Sequence, residues 1–257
     1  MSRALFDDHD FVYRAPHAGR PHVVLLPGLI AGEWMWRPTM DALAQAGCGY
    51  LAPTKPFAAT HDRVAPLKRW VVDLMDHCGI GSAVMVGGSF GSRVALDCAI
   101  AFPERVDMLV LSGAPGSVTT AQMGISFHGS VTRTIGAKVV RELFFDSACV
   151  SDATIAETLR TFGERRRLLN LIRLMKESSV FDYAPALAAV DAFALMIWGL
   201  DDKISSYEMW NRLAPSARHG ALHAIERCGH LPMIERPNTF NAILLEHLEP
   251  ARIAARA

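Results

Sequence analysis

Between Ala83 and Ile100 the chain passes from a short apolar run, Ala83-Val84-Met85-Val86, through Gly87-Gly88-Ser89-Phe90-Gly91 into Arg93-Val94-Ala95-Leu96-Asp97-Cys98-Ala99-Ile100. The first run reads as a buried strand and the last as a helix, so Ser89 falls in the sharp turn that joins them. A turn that tight forces a strained backbone on the serine. Glycines two residues before and two after remove the Cβ atoms that would collide where strand and helix cross. The hydroxyl is lifted clear of its neighbours, and the helix N-terminus aims its unpaired N–H groups at any oxygen reacting there.

The rest of the chain repeats the alternation. Val23–Leu26 precedes a helix at Arg37–Gln45, and the helix after Ser89 stops at Pro103. Met108–Leu111 follows, Leu195–Trp198 precedes a helix at Ser206–Leu213, and Ala221–Ile225 precedes one at Asn238–Leu248. Continuous apolar strands interleaved with helices predict an α/β fold, with a mostly parallel central sheet covered on both faces. Phe11-Val12-Tyr13 is a candidate antiparallel edge strand. From Gly116 to Ala189 no strand is expected. Apolar residues recur there at helical spacing: Val139, Val140, Leu143, Phe144; Ile155, Leu159, Phe162; Leu168, Leu171, Ile172, Met175. We therefore expect residues 1–115 and 190–257 to form the core and 116–189 a helical cap inserted into a single domain.

At 257 residues the chain can bury one large core. Lys plus Arg balance Asp plus Glu at 26 each, with no basic stripe or charged tail, so nucleic acid and charged partners are not expected. Met1–Asp8 lacks the apolar stretch of a signal peptide, and no apolar run approaches the ~20 residues that cross a bilayer. The five cysteines (Cys48, Cys78, Cys98, Cys149, Cys228) are scattered and mostly embedded in apolar segments, as in a cytoplasmic protein with reduced thiols. Cys-x-x-Cys and His-Glu-x-x-His are absent, as are glycine-rich phosphate loops, so neither a metal nor a nucleotide cofactor is expected. The expected partner is a small-molecule substrate.

Acyl transfer by a serine needs a base to take its proton, an acid to orient the base, and N–H donors for the oxyanion. Candidates follow predicted strands. Leu195–Trp198 runs into Gly199-Leu200-Asp201-Asp202, Ala221–Ile225 leads to Cys228-Gly229-His230, and Val23–Leu26 runs into Pro27-Gly28-Leu29. In a parallel sheet these loops share the carboxyl edge, where ligands bind. The order Ser89, Asp202, His230 is that of one serine-hydrolase fold and differs from two unrelated protease folds.

Together these segments resemble the α/β-hydrolase family from about Val23 to Leu248. The matching stretches are Gly87–Gly91, Trp198-Gly199-Leu200-Asp201-Asp202 and Cys228-Gly229-His230-Leu231-Pro232-Met233-Ile234-Glu235-Arg236-Pro237. The family's Gly-x-x-Asp pattern selects Asp202 over Asp201. Gly28–Trp36 resembles the oxyanion-loop segment of family esterases. The resemblance implies an acyl-enzyme on Ser89, His230 as base and acid, Asp202 as its orienting partner, backbone N–H groups of Leu29 and Phe90 as the oxyanion hole, and no cofactor. Two segments depart from the pattern: Pro27 stands where relatives carry a His, and Pro53-Thr54-Lys55-Pro56-Phe57 replaces a Gly-rich turn containing Asp.

The favoured substrate is a small or medium carboxylic ester or lactone. A hydrolase of carbon–carbon bonds in ring-cleavage products is the alternative, followed by a cofactor-free oxygenase or lyase and a ligand receptor. Leu231, where hydroxynitrile lyases place a lysine, weakens the lyase reading. Arg165-Arg166-Arg167 reads as a solvated helix face. Trp34, Met123, Phe127 and His128 are candidates for an acyl pocket or for ordinary packing. Glu235 reads as structural.

Overall fold

Successive residues of a strand point to opposite sides, and here the two sides enter separate cores. Val24, Leu26, Met85, Leu109, Leu111, Met196 and Trp198 join one cluster, while Val23, Leu25, Val84, Val86, Met108, Val110, Leu195 and Ile197 join the other. All of them are essentially inaccessible to solvent. Each such side chain contributes about 1.5–3 kcal/mol on full burial, so continuous apolar strands are stable only with both faces covered. The structure, a computed structural model, describes residues 2–7, 9–115, 141–146, 148, 152–153, 155–156, 159 and 164–249.

Eight strands, β1 (Ser2–Phe6), β2 (His9–Arg14), β3 (His22–Leu26), β4 (Gly49–Pro53), β5 (Ala83–Gly88), β6 (Val106–Ser112), β7 (Phe193–Gly199) and β8 (Gly220–Ile225), form one sheet in the order β1-β2-β4-β3-β5-β6-β7-β8. The pairs β1–β2 and β2–β4 are antiparallel, and the remaining pairs are parallel. Six strands lie where the apolar runs predict them, including the antiparallel β2. The other two have no counterpart in the sequence reading. β4 is a five-residue segment ending in proline, and β1 is exposed over Ser2–Leu5 and held by its pairing with β2.

The described helices are α1 (Arg37–Gln45), α2 (Phe57–Thr60), α3 (Leu67–His77), α4 (Phe90–Ala101), α5 (Arg165–Ser179), α6 (Tyr183–Ala188), α7 (Tyr207–Leu213), α8 (Pro232–Glu235) and α9 (Pro237–His247). The sequence reading passed over α3, although Leu67, Trp70, Val71, Leu74 and Met75 form a buried stripe at helical spacing. Within the interval assigned to a cap, α5 docks against the α2 region. Asn170 Nδ2 donates to the Ala58 carbonyl at 3.2 Å, Arg173 pairs with Asp62 at 2.8 Å, and the Val64 N–H donates to Glu177 at 2.8 Å. Met123, Phe127, His128, Val139, Val140, Cys149 and Phe162 lie outside the described residues. No described helix is long and apolar enough to cross a membrane.

After β3 the chain turns to β4 on one side, and after α3 it returns to β5 on the other. Loops leaving β3 and β5 therefore diverge at the carboxyl edge and open a crevice between them. The Gly28 loop and Ser89 meet there, and the loops after β7 and β8 reach the same edge.

Candidate active site

Ser89 is the residue between β5 and α4, with φ 54° and ψ −125°. A non-glycine residue in this region costs on the order of 1–3 kcal/mol, which the surroundings must offset. The strained turn is enforced by close approach. A Cβ on Gly87 would lie 2.3 Å from Ser92 Cα, and one on Gly91 would lie 2.1 Å from the Leu26 carbonyl oxygen. The Ser89 N–H donates to the Ser112 carbonyl at 2.8 Å, and the buried Ser92 hydroxyl donates to the Gly87 carbonyl at 2.7 Å. The first bond anchors the turn to β6, and the second closes it on β5.

Ser89 Oγ is 3.0 Å from His230 Nε2, and His230 Nδ1 is 2.9 and 3.1 Å from the two Asp202 oxygens. A carboxylate only accepts hydrogen bonds, so Nδ1 carries the proton and Nε2 is left to accept from the serine hydroxyl. Asp202 Oδ1 also accepts from the N–H groups of Ile204 at 2.8 Å and Ser205 at 2.9 Å. Asp202 and His230 are 5% and 3% exposed, whereas Asp201 faces solvent and donates its N–H to the Cys228 carbonyl. Asp202 is thus the carboxylate beside the imidazole. An alcohol, an imidazole and a buried carboxylate in this order can move the serine proton onto His230 while the ring stays in one tautomer.

The Gly28 loop lies directly against the nucleophile, since a Cβ on Gly28 would be 3.5 Å from Ser89 Cβ. Leu29 follows it and is half-buried, and Phe90 is buried at the first position of α4. The segment Pro53–Phe57, to which the sequence reading gave no role, braces this loop. The Glu33 N–H donates to the Thr54 carbonyl at 3.1 Å, and the Phe57 N–H donates to the Gly28 carbonyl at 3.4 Å. The Phe57 ring also meets the Phe90 ring edge-on, with centroids 5.9 Å apart. Main-chain bonds of this kind leave no residue signature, which is why sequence alone missed them.

Glu235 is buried, and backbone donors occupy both of its oxygens: Gly229 N–H at 2.7 Å and Phe145 N–H at 3.2 Å on one, Asp146 N–H at 2.7 Å on the other. It clamps the histidine loop to residues 143–146, whose Leu143 carbonyl accepts the His230 N–H at 2.8 Å. Burial, reinforced by the nearby Glu235 carboxylate, pushes the Cys228 thiol up to about 12, leaving it protonated and unreactive beside the site. The four described cysteines are all free. Arg165 and Arg166 are exposed, and Arg167 pairs at 2.8 Å with Glu164, the residue just before its own helix. Trp34 is half-buried against the core. Among the described residues no three His, Cys, Asp or Glu side chains gather as a metal site.

Known proteins agree with this architecture. The chain is 29% identical to a 2-hydroxy-6-oxononadienedioate/2-hydroxy-6-oxononatrienedioate hydrolase of Burkholderia vietnamiensis, over 92% of this chain and 90% of the relative. A 2-hydroxy-6-oxo-6-phenylhexa-2,4-dienoate hydrolase of Burkholderia cepacia is 26% identical over 70% of this chain and 67% of its own length. Among solved structures, a meta-cleavage product hydrolase from Pseudomonas fluorescens IP01 superposes with a TM-score of 0.77 at 20% identity, covering 96% of both chains, a likeness of fold. The model of the alpha/beta hydrolase family matches residues 23–243, continuously from β3 through the nucleophile turn, the acid loop and the histidine loop into α9, and the chain belongs to that family.

Proposed function

We propose that this hydrolase cleaves a carbon–carbon bond beside a ketone in an unsaturated 2-hydroxy-6-oxo acid, with Ser89 as nucleophile, His230 as general base and acid, and Asp202 as its orienting partner. The observation that carries the mechanism is the unbroken hydrogen-bonded run from Asp202 through His230 to Ser89. The bond type is supported by the relatives, which are named for 2-hydroxy-6-oxo-dienoate or -dienedioate hydrolysis. The chemistry is coherent. Ser89 adds to the ketone as its proton passes to His230. With the 2-hydroxydienoate first ketonised, so that the carbon beside the ketone is saturated, the carbon–carbon bond breaks and its electron pair delocalises through the remaining alkene to the 2-oxo group, the resulting dienolate taking the proton held by His230. Water delivered by His230 hydrolyses the acyl-enzyme. Backbone N–H groups of Leu29 and Phe90 would hold the oxyanion.

The same array would serve an ester or lactone, which the sequence reading placed first; the relatives' names favour the carbon–carbon bond. The reading includes a small-molecule substrate, no cofactor, residues 116–189 as a helical cap, and a cytoplasmic setting in keeping with the free thiols. The test is a panel of 2-hydroxy-6-oxo-dienoates beside chromogenic esters, with Ser89→Ala and His230→Ala compared on whichever is turned over. Ser89→Ala is expected to cost roughly 10³–10⁶ in kcat. Turnover of esters alone would return the ester reading. A Ser89→Ala enzyme keeping a tenth of its activity, with His230→Ala inactive, would mean base-only chemistry.

A further inference from the structure

Ser205 lies three residues beyond Asp202 and is wholly buried, and each of its polar atoms is engaged with a different part of the molecule. Its N–H donates to Asp202 Oδ1 at 2.9 Å. Its carbonyl accepts from Trp198 Nε1 at 2.8 Å. Its hydroxyl donates to the Ala114 carbonyl at 2.6 Å and accepts from Trp210 Nε1 at 2.8 Å. The two indoles that meet it are themselves stacked, with centroids 4.4 Å apart and planes 25° from parallel. A buried hydroxyl costs free energy unless it is paired, and this one is paired as donor and as acceptor, which fixes its rotamer.

What the hydroxyl holds matters more than the pairing itself. Ala114 ends the turn Ser112-Gly113-Ala114 that leaves β6. The Ser112 carbonyl receives the Ser89 N–H. Gly113, at φ 59°, lies so close to the histidine that a Cβ there would stand 2.6 Å from the His230 carbonyl oxygen and 3.1 Å from the imidazole Cε1. The Ser205 hydroxyl therefore grips the strip of backbone that touches both nucleophile and base, while its N–H grips the acid.

We infer that Ser205 is a positioning residue for the whole reacting array, tying the acid loop to the turn that seats His230 and Ser89. The inference rests on the reading of Ser89, His230 and Asp202 as the reacting groups. Hydrogen bonds in a dry chain of this kind polarise one another, and a displacement of about 1 Å among reacting groups can cost about 10²-fold in rate. Loss of the Ser205 hydroxyl strands the Ala114 carbonyl and the Trp210 N–H, frees the turn, and lets the acid loop drift from the imidazole.

The test reads Ser89 directly through its rate of labelling by a fluorophosphonate, so the natural substrate need not be known. Wild type, Ser205→Ala, Ser205→Thr and Trp210→Phe are labelled from about pH 5 to 9, with circular dichroism and thermal melts establishing the folded fraction. For Ser205→Ala we expect labelling roughly 10- to 100-fold slower. The pH profile of labelling should also depart from that of wild type, because the displaced carboxylate no longer holds the imidazole in its orientation. Ser205→Thr keeps the hydroxyl and should recover most of the rate and the wild-type pH profile. Trp210→Phe removes the donor to Oγ together with part of the ring packed on Trp198 and Tyr183, and per folded molecule its rate should fall between wild type and Ser205→Ala. A folded Ser205→Ala with wild-type rate and pH profile overturns the inference, as does a loss that merely follows the unfolded fraction. If Ser205→Ala does not fold, wild-type behaviour of Trp210→Phe overturns it instead. Wild-type protein left unlabelled at Ser89 would overturn the nucleophile reading beneath it, a separate outcome.

Discussion

The two walls of the crevice around Ser89 are built differently. On the oxyanion-loop side the bonds run from main chain to main chain, Phe57 N–H to the Gly28 carbonyl and Glu33 N–H to the Thr54 carbonyl. On the acid–base side main-chain bonds such as His230 N–H to the Leu143 carbonyl are joined by many through side chains: Asp202 to His230 and to two amides, Ser205 to Ala114, and Glu235 to three amides from two segments. A main-chain wall is indifferent to most side-chain identities so long as the path of the backbone is kept. A side-chain wall depends on single atoms, because removing one leaves a buried partner unmet.

The sharpest way to break the comparison is Asp202→Asn. The amide preserves shape but favours the wrong imidazole tautomer, so kcat/KM should fall by about 10⁴ with the fold retained. Steady-state kinetics beside a thermal melt would check it. A loss below about tenfold would mean that another carboxylate orients the base.

A smaller effect is expected from the paired variants Glu235→Gln and Thr54→Ala, one on each wall. The glutamine must point its NH₂ group at a backbone N–H, whichever way it lies, which costs about 1–3 kcal/mol and slows turnover. Thr54 gives the oxyanion loop only its carbonyl, which alanine retains, and its hydroxyl makes one exposed bond, to the Asp10 carbonyl, so that variant should lose no more than about 1 kcal/mol and keep its turnover. Equal losses in denaturant titrations would erase the distinction between the walls.

The smallest expected effect concerns His61, just past α2 behind the main-chain wall and packed against the rings of His9, Trp70 and Phe57. Burial, then the neighbouring His9, lowers it from 6.5 to about 4. The folded state holds it neutral while the unfolded chain protonates it, so its contribution is present above pH 6.5 and is lost as pH falls toward about 4. Melting temperature should fall with pH over that window, and His61→Gln should flatten that limb. An unchanged acid limb in the variant would show that other groups govern it.

Much of the carboxyl edge was legible beforehand. Apolar runs located β3, β5, β6, β7 and β8, and Ser89, Asp202 and His230 each follow one of them. β1 and β4 escaped notice because pairing with a neighbour stabilises β1, and β4, Gly-Tyr-Leu-Ala-Pro, has no β-branched residue and is bounded by the turn formers glycine and proline. The brace at Thr54–Phe57 and the grip of Ser205 on the acid loop and the turn after β6 escaped for another reason: neither involves a residue type that announces its chemistry.

The sequence by itself determined the alternation of strand and helix and the strained turn at Ser89, because these follow from local hydropathy and from glycines spaced two residues either side. The Gly-x-x-Asp resemblance pointed to Asp202, and the tertiary structure supplied the physical reason, burying Asp202 beside His230 while Asp201 faces solvent. Only the tertiary structure brought Ser205 to Ala114, 91 positions away in the chain, and Glu235 to Asp146, 89 positions away. Such contacts depend on where separate strands end at a shared sheet edge, and burial there selects which polar atoms must pair.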